Sequence, residues 1–124
     1  MKNLTIITAA LFLFALPAFG LACEYPERPT LPDGNVAAKE DMIAAQTAVK
    51  AFIAAVDEYL NCIEQEEKDA IAALDNPDEE TIQRRDELLS KRFDAANEEK
   101  FLFGEQWNQQ VRAYNARRSE QKSD

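Results

Sequence analysis

The stretch from Ala37 to Leu74 contains neither Pro nor Gly, is crowded with Ala, and carries its apolar residues at helical spacing. Met42, Val49, Val56, Ile63 and Ala70 recur every seven residues, with Ala45, Phe52 and Tyr59 three further on. Ile53, Leu60 and Leu74 widen the stripe. Such a run predicts one long amphipathic helix whose apolar face is broader than a bare coiled-coil seam. A face of that kind has to be covered, so the rest of the chain is constrained to cover it.

The cover begins at Leu74-Asp75-Asn76-Pro77-Asp78-Glu79-Glu80. Asn76 is the expected cap of a second helix, with Pro77 at its first position and Glu79 at capping-box spacing. Asp78 and Glu79 complement the positive end of its dipole. A calcium loop fails here, because Pro77 stands where a third-position ligand belongs and no Gly follows at the sixth. So short a connection makes the two helices antiparallel neighbours. Ile82, Leu89, Phe93, Ala96, Phe103, Trp107, Val111 and Tyr114 form the stripe of the second helix. If the turn centres on Asn76, position i faces roughly 153 − i. Phe93 then lies by Leu60, Phe103 by Val49 and Lys50, and Trp107 by Ala45 and Gln46. Large aromatics meet the Ala-rich part of the first helix, as interdigitating layers require. Phe101 fits less well, since its helical neighbours Asp94, Asn97 and Glu105 are polar; it belongs under the residue 23–35 strap or against a partner. Gly104 is a candidate kink. Arg112, Arg117, Arg118 and Lys122 suit the C-terminal end of a helix dipole.

Ahead of the first helix, residues 1–22 read as an export signal: Lys2, an apolar run from Leu4 to Leu16, Pro17, then Gly20-Leu21-Ala22 before Cys23. The run is short for a membrane span, and an uncleaved anchor is the competing reading. Cys23 and Cys62 are the only cysteines. In an oxidising compartment a pair of thiols is most simply one disulfide. Cys62 lies about 35 Å along the first helix, and the segment from Cys23 to Lys39 can extend about 50 Å. It can therefore run back and be pinned. The rival is a lipoprotein, since Leu21-Ala22-Cys23 satisfies a loose lipobox. Gly20 stands where that motif usually has Leu, and lipid on Cys23 would strand Cys62 as a lone thiol. Between the cysteine and the helix, residues 23–35 carry Pro26, Pro29 and Pro32 at every third position, which favours an extended path. Pro32-Asp33-Gly34-Asn35 is a turn cluster. Tyr25 and Leu31 are the expected contacts of this strap with the helices; a loose linker or a Pro-rich peptide ligand is the alternative.

The chemistry available is narrow. His is absent, so there is no ordinary base near neutral pH, no imidazole ligand and no Ser-His or Cys-His nucleophile. No Gly-rich phosphate loop occurs. Glu64, Glu66, Glu67 and Asp69 read as a solvated helix face. A carboxylate hydrolase would need a deep pocket with two converging acids. Formal net charge is −9, and removal of residues 1–22 takes away Lys2 and no acid. So acidic a surface excludes nucleic acid and disfavours anionic lipid.

C-x-x-P-x-x-P, the P-D-G turn and A-V-K-A-F-I-A-A-V-D-E-Y-L-N-C resemble a group of small secreted bacterial proteins to which no activity is assigned. In these a proline-containing cysteine segment precedes a helix ending Y-x-x-C. The matching residues are Cys23, Pro26, Pro29, Pro32, Asp33, Gly34, Tyr59 and Cys62, in the first half of the exported chain. A weaker likeness is to the helical periplasmic stress chaperones, whose L-T-x-x-Q motif is missing here.

The expectation is all-α: an antiparallel, coiled-coil-like two-helix hairpin over residues 36–124, with helices at about 37–74 and 77–118, behind the 1–22 signal and the 23–35 Pro-rich strap. Cys23 and Cys62 are its disulfide. Phe101, Phe103 and Trp107 are its candidate partner contacts. The expected role is non-enzymatic, without cofactor or metal: a protein-binding, scaffold or envelope-associated protein, periplasmic or extracellular in a bacterium. Its partner is protein, with self-association suggested by the wide apolar faces and Phe101. The alternative is a membrane-tethered lipoprotein spacer lipidated at Cys23.

Overall fold

A computed structural model describes residues 22–123, so the export segment lies outside the described residues except for Ala22. The described chain is an extended strap followed by α1 (Lys39–Ala72) and α2 (Glu79–Gln121), two antiparallel helices with no strand. Both helices start two residues later than expected, and α2 runs three residues further, passing Gly104 unbroken.

The stripe of α1 is the buried one: Met42, Ala45, Val49, Phe52, Val56, Leu60 and Ile63. From α2, Ala96 and Phe103 are buried. Leu89, Phe93 and Trp107 pack on that core half-buried, as do Cys23 and Leu31 from the strap. Val56, Ile63 and Phe103 are wholly enclosed. The expected register holds. Met42 and Val111, Gln46 and Trp107, Glu64 and Leu89, and Ile71 and Ile82 share groove walls, each pair summing to 153. Phe103 stacks edge-on against Phe52 at 4.9 Å between ring centroids.

The turn differs from expectation in one respect. Asn76 adopts a left-handed conformation, φ 47°, and does not cap. Asp78 caps instead, its carboxylate accepting from the Thr81 amide at 2.7 Å. The reason is steric and local. The residue before a proline is disfavoured in the right-handed helical region, and Asn tolerates the left-handed one. The reversal therefore falls on Asn76, and α2 begins after Asp78.

The strap lies along one face of the hairpin. Cys23 is bonded to Cys62, with Cα atoms 5.8 Å apart. Tyr25 meets Tyr59 and Phe52 edge-on, at 5.1 and 6.3 Å between centroids. Burial, then the charge of Glu99, raises the Tyr25 phenol above its ordinary value. Arg28 spreads over the Phe103 ring and hydrogen-bonds Gln106. At the far end Asp33 accepts from the backbone and side-chain amides of Asn35, both at 2.9 Å, which closes the turn. Gly34 donates its N–H to the Gln110 side chain at 2.9 Å. Its φ is ordinary; glycine is needed because a Cβ there would strike the Gln110 carbonyl and come within 2.9 Å of the Tyr114 nitrogen. Arg117 then binds the carbonyls of Asn35 and Ala37 at 2.9 and 2.6 Å, fastening the start of α1 to the end of α2.

The clip therefore joins the strap to the hairpin about two-thirds of the way along α1. From the Gly34 turn to Cys62 the molecule has three layers, hereafter the closed half. From Ile63 to Leu89, around the Asn76 turn, it has two, the open half.

Breaking the clip, by reduction or Cys62→Ser, removes a constraint across 39 residues and costs about 4 kcal/mol on the chain-entropy account. Thermal melts should fall by roughly 15–30 °C, and the strap amides should lose exchange protection first. The two turn carboxylates set an acid limit. Hydrogen bonds hold Asp33, from the Asn35 amide first, and Asp78, from the Thr81 side chain first, below their ordinary value of 3.8. A lowered folded value gives stability that is full above 3.8 and lost as pH falls through the lower values. Urea midpoints measured from neutral to acid pH should therefore drop below about pH 4, and less steeply in the Asp33→Asn, Asp78→Asn double variant.

Candidate partner-docking surface

The strap decides which apolar surface is covered. On α2, Gln106 touches the strap through Arg28, and Leu88 lies eighteen residues before it, five whole turns away on the same face. Leu89 stands in the same relation to Trp107, on the stripe between the helices, and borders grooves on both faces. Past Cys62 no described residue of the strap lies over the hairpin, so among the described residues both faces of the open half are uncovered.

Each bare face holds a groove. On the face without the strap, Ile71, Ile82 and Leu89 line one of about 570 Å³, walled by Glu64, Glu67, Lys68, Glu79, Gln83 and Asp86. On the strap face, beyond the clip, Leu88, Leu89 and Ala95 lie with Glu67, Arg85, Lys91 and Arg92 around one of about 500 Å³. Leu88 is 57% exposed and Leu74 38%. Single exposed leucines are ordinary; two apolar grooves at one end of a small protein are the kind of surface that partners use.

The acidic run of α1 is less solvated than expected. Glu67 receives two hydrogen bonds from Arg85, at 2.6 and 3.1 Å, with its side chain only 18% exposed. Glu64 pairs with Lys68 at 2.7 Å, and Glu66 lies 3.8 Å from Arg92. Arg92 also reaches the Tyr59 hydroxyl. In the closed half Lys100 bridges to Asp57 at 2.6 Å. The Glu67–Arg85 pair is the best sheltered, and it links the helices where no strap does. Among the described residues no group of three or more His, Cys, Asp or Glu is placed to hold a metal.

The sequence-derived candidates separate. Cys23 and Cys62 come together. Phe103 does not belong with the partner contacts: it is 0% exposed, beneath Arg28 and against Phe52, and this corrects the expectation. Its place on the α2 stripe puts it in the core. Phe101 is 66% exposed, roughly 200° around the helix from Phe103, and so is not under the strap. With Leu102, 49% exposed, it forms a small outward patch. Trp107 is half-buried and edges a shallow groove of about 240 Å³ with Met42, Ile43 and Val111. Sequence reasoning passed over Leu88, Ala95 and Leu102, although they recur every seven residues beside the main stripe. It also assigned Arg117 to the helix dipole, where its partners are the strap carbonyls.

No family model, no curated protein and no solved structure matches this chain.

If the groove residues serve docking and not folding, the two classes of apolar residue respond differently. Leu88→Asn should change unfolding free energy by no more than about 0.5 kcal/mol. Phe103→Ala should cost about 3–5 kcal/mol. Chemical denaturation of both variants checks this.

Proposed function

We propose that this is an exported, non-enzymatic helical protein that binds another protein through the open half of its hairpin. The carrying observation is the unequal cover. A strap clipped by Cys23–Cys62 covers one face of one half, where grooves of about 240 and 410 Å³ remain, while the other half carries grooves of about 570 and 500 Å³, one on each face. A chain that needed only stability would extend such a cover.

Export is supported by the disulfide, a bond that reducing compartments do not maintain. No helix among the described residues is long and apolar enough to cross a membrane. The lipoprotein alternative needs the Cys23 sulfur for a thioether, and one sulfur cannot carry both that bond and the link to Cys62. A non-enzymatic role is supported by the absence of His, the ordinary side-chain base near neutral pH.

A photo-crosslinking residue placed at Leu88 in the producing cell tests the reading, with the same residue at Thr47, exposed on the closed half, as the comparison. The expected result is a discrete protein adduct from position 88 and none from position 47. Equal or absent adducts at both would reject the open half as the docking end.

A further inference from the structure

The two grooves carry opposite charge. In the groove on the face without the strap Glu64 is paired with Lys68 and Glu67 with Arg85, which leaves Glu79 and Asp86 as its surplus charge. In the groove on the strap face Arg85 is held by that same Glu67 and Arg92 lies 3.8 Å from Glu66, which leaves Lys91 as its surplus charge. An apolar floor with an acidic rim accepts an amphipathic helix whose apolar ridge is flanked by cations. Such a helix is present in this chain. Leu88, Lys91, Arg92 and Ala95 stand at i, i+3, i+4 and i+7 on α2, along the opposite face, running from the open half to just past the level of the clip.

We propose that the occupant of the acidic groove is the basic ridge of a second copy of this chain, so that open halves stack face to back. This rests on the docking role assigned above to the open half. Leu88 of one copy lies over Ile71, Ile82 and Leu89 of the next, and Lys91 approaches Asp86. The contact joins two different surfaces, so each copy retains one groove and one ridge. Stacking then either continues or closes into a ring. It cannot end as a symmetric pair using one face twice. The net charge of −9 opposes any assembly, but charges more than about 8 Å apart are largely screened at physiological salt, whereas facing pairs at a desolvated groove are screened less. The contact covers only a few helical turns, well short of a standard stable interface, so the association is weak and depends on concentration.

Sedimentation of the oxidised protein, from about 10 to about 500 micromolar, tests this at low and at high salt. The wild type should assemble with concentration, less so in high salt. Lys91→Glu and Asp86→Lys, both at exposed positions, should each weaken association at least about tenfold, because like charges then face one another. An equimolar mixture of the two should recover it, since the altered ridge of one suits the altered groove of the other. Circular dichroism of each variant separates lost assembly from lost folding. A wild type that stays monomeric throughout overturns the proposal, as does a mixture that fails to recover or assembly insensitive to Lys91→Glu. Should the purified protein be monomeric while Leu88 still yields an adduct with a different protein in cells, the docking role stands and self-stacking falls.

Discussion

The Cys23–Cys62 bond is the constraint on which this architecture depends. Two antiparallel helices enclose one stripe each, and a core of that size is marginal in a chain this short. A third element widens it: Leu31 and the arene of Tyr25 close over Phe52, Tyr59 and Phe103. The strap has no helical or sheet hydrogen bonds of its own to hold it there. Its three prolines reduce the entropy it loses on docking, and the sulfur link removes much of what remains. Gly34 and Arg117 fasten the opposite end, so the strap is held at both ends and packed between them.

The same arrangement explains where polar groups sit. Among the described residues no polar or charged residue is fully buried. The ion pairs that cross between helices, Asp57–Lys100, Glu66–Arg92 and Glu67–Arg85, stand at the margins of the core and not within it. Pairs this exposed contribute little to stability, but they oppose sliding of one helix along the other. Register is set first by the short Asn76 turn, and Phe103 against Phe52 sits on the stripe it brings together.

Much of this was legible in the chain because it is governed by local rules. Seven-residue recurrence located α1, and the turn length fixed antiparallel pairing and register. Two cysteines with no other partner, behind a segment that reads as an export signal, predicted their bond. What escaped legibility depends on choices between near-equal local options or on distant contacts. Asn76 and Asp78 are both good caps by type; a cap needs extended backbone, which Asp78 has, whereas Asn76 takes the left-handed conformation of the reversal. Phe103 and Phe101 look alike as residues, and two positions along a helix separate the core from solvent. Arg117 meets carbonyls some eighty residues away, which no spacing rule reveals. The grooves of the open half escaped because they are defined by where the strap stops, and the strap's end is visible only once its path along the hairpin is traced.

Because the cover stops at Cys62, the molecule has a gradient of rigidity along its length. Near the Gly34 junction an amide opens to solvent only when three layers part together, whereas near Asn76 the separation of two helices suffices. Fluctuations short of global unfolding should begin at that tip and run inward until they reach the sulfurs. The hairpin thus resembles tweezers with a locked hinge, whose prongs can spread without the whole losing its shape.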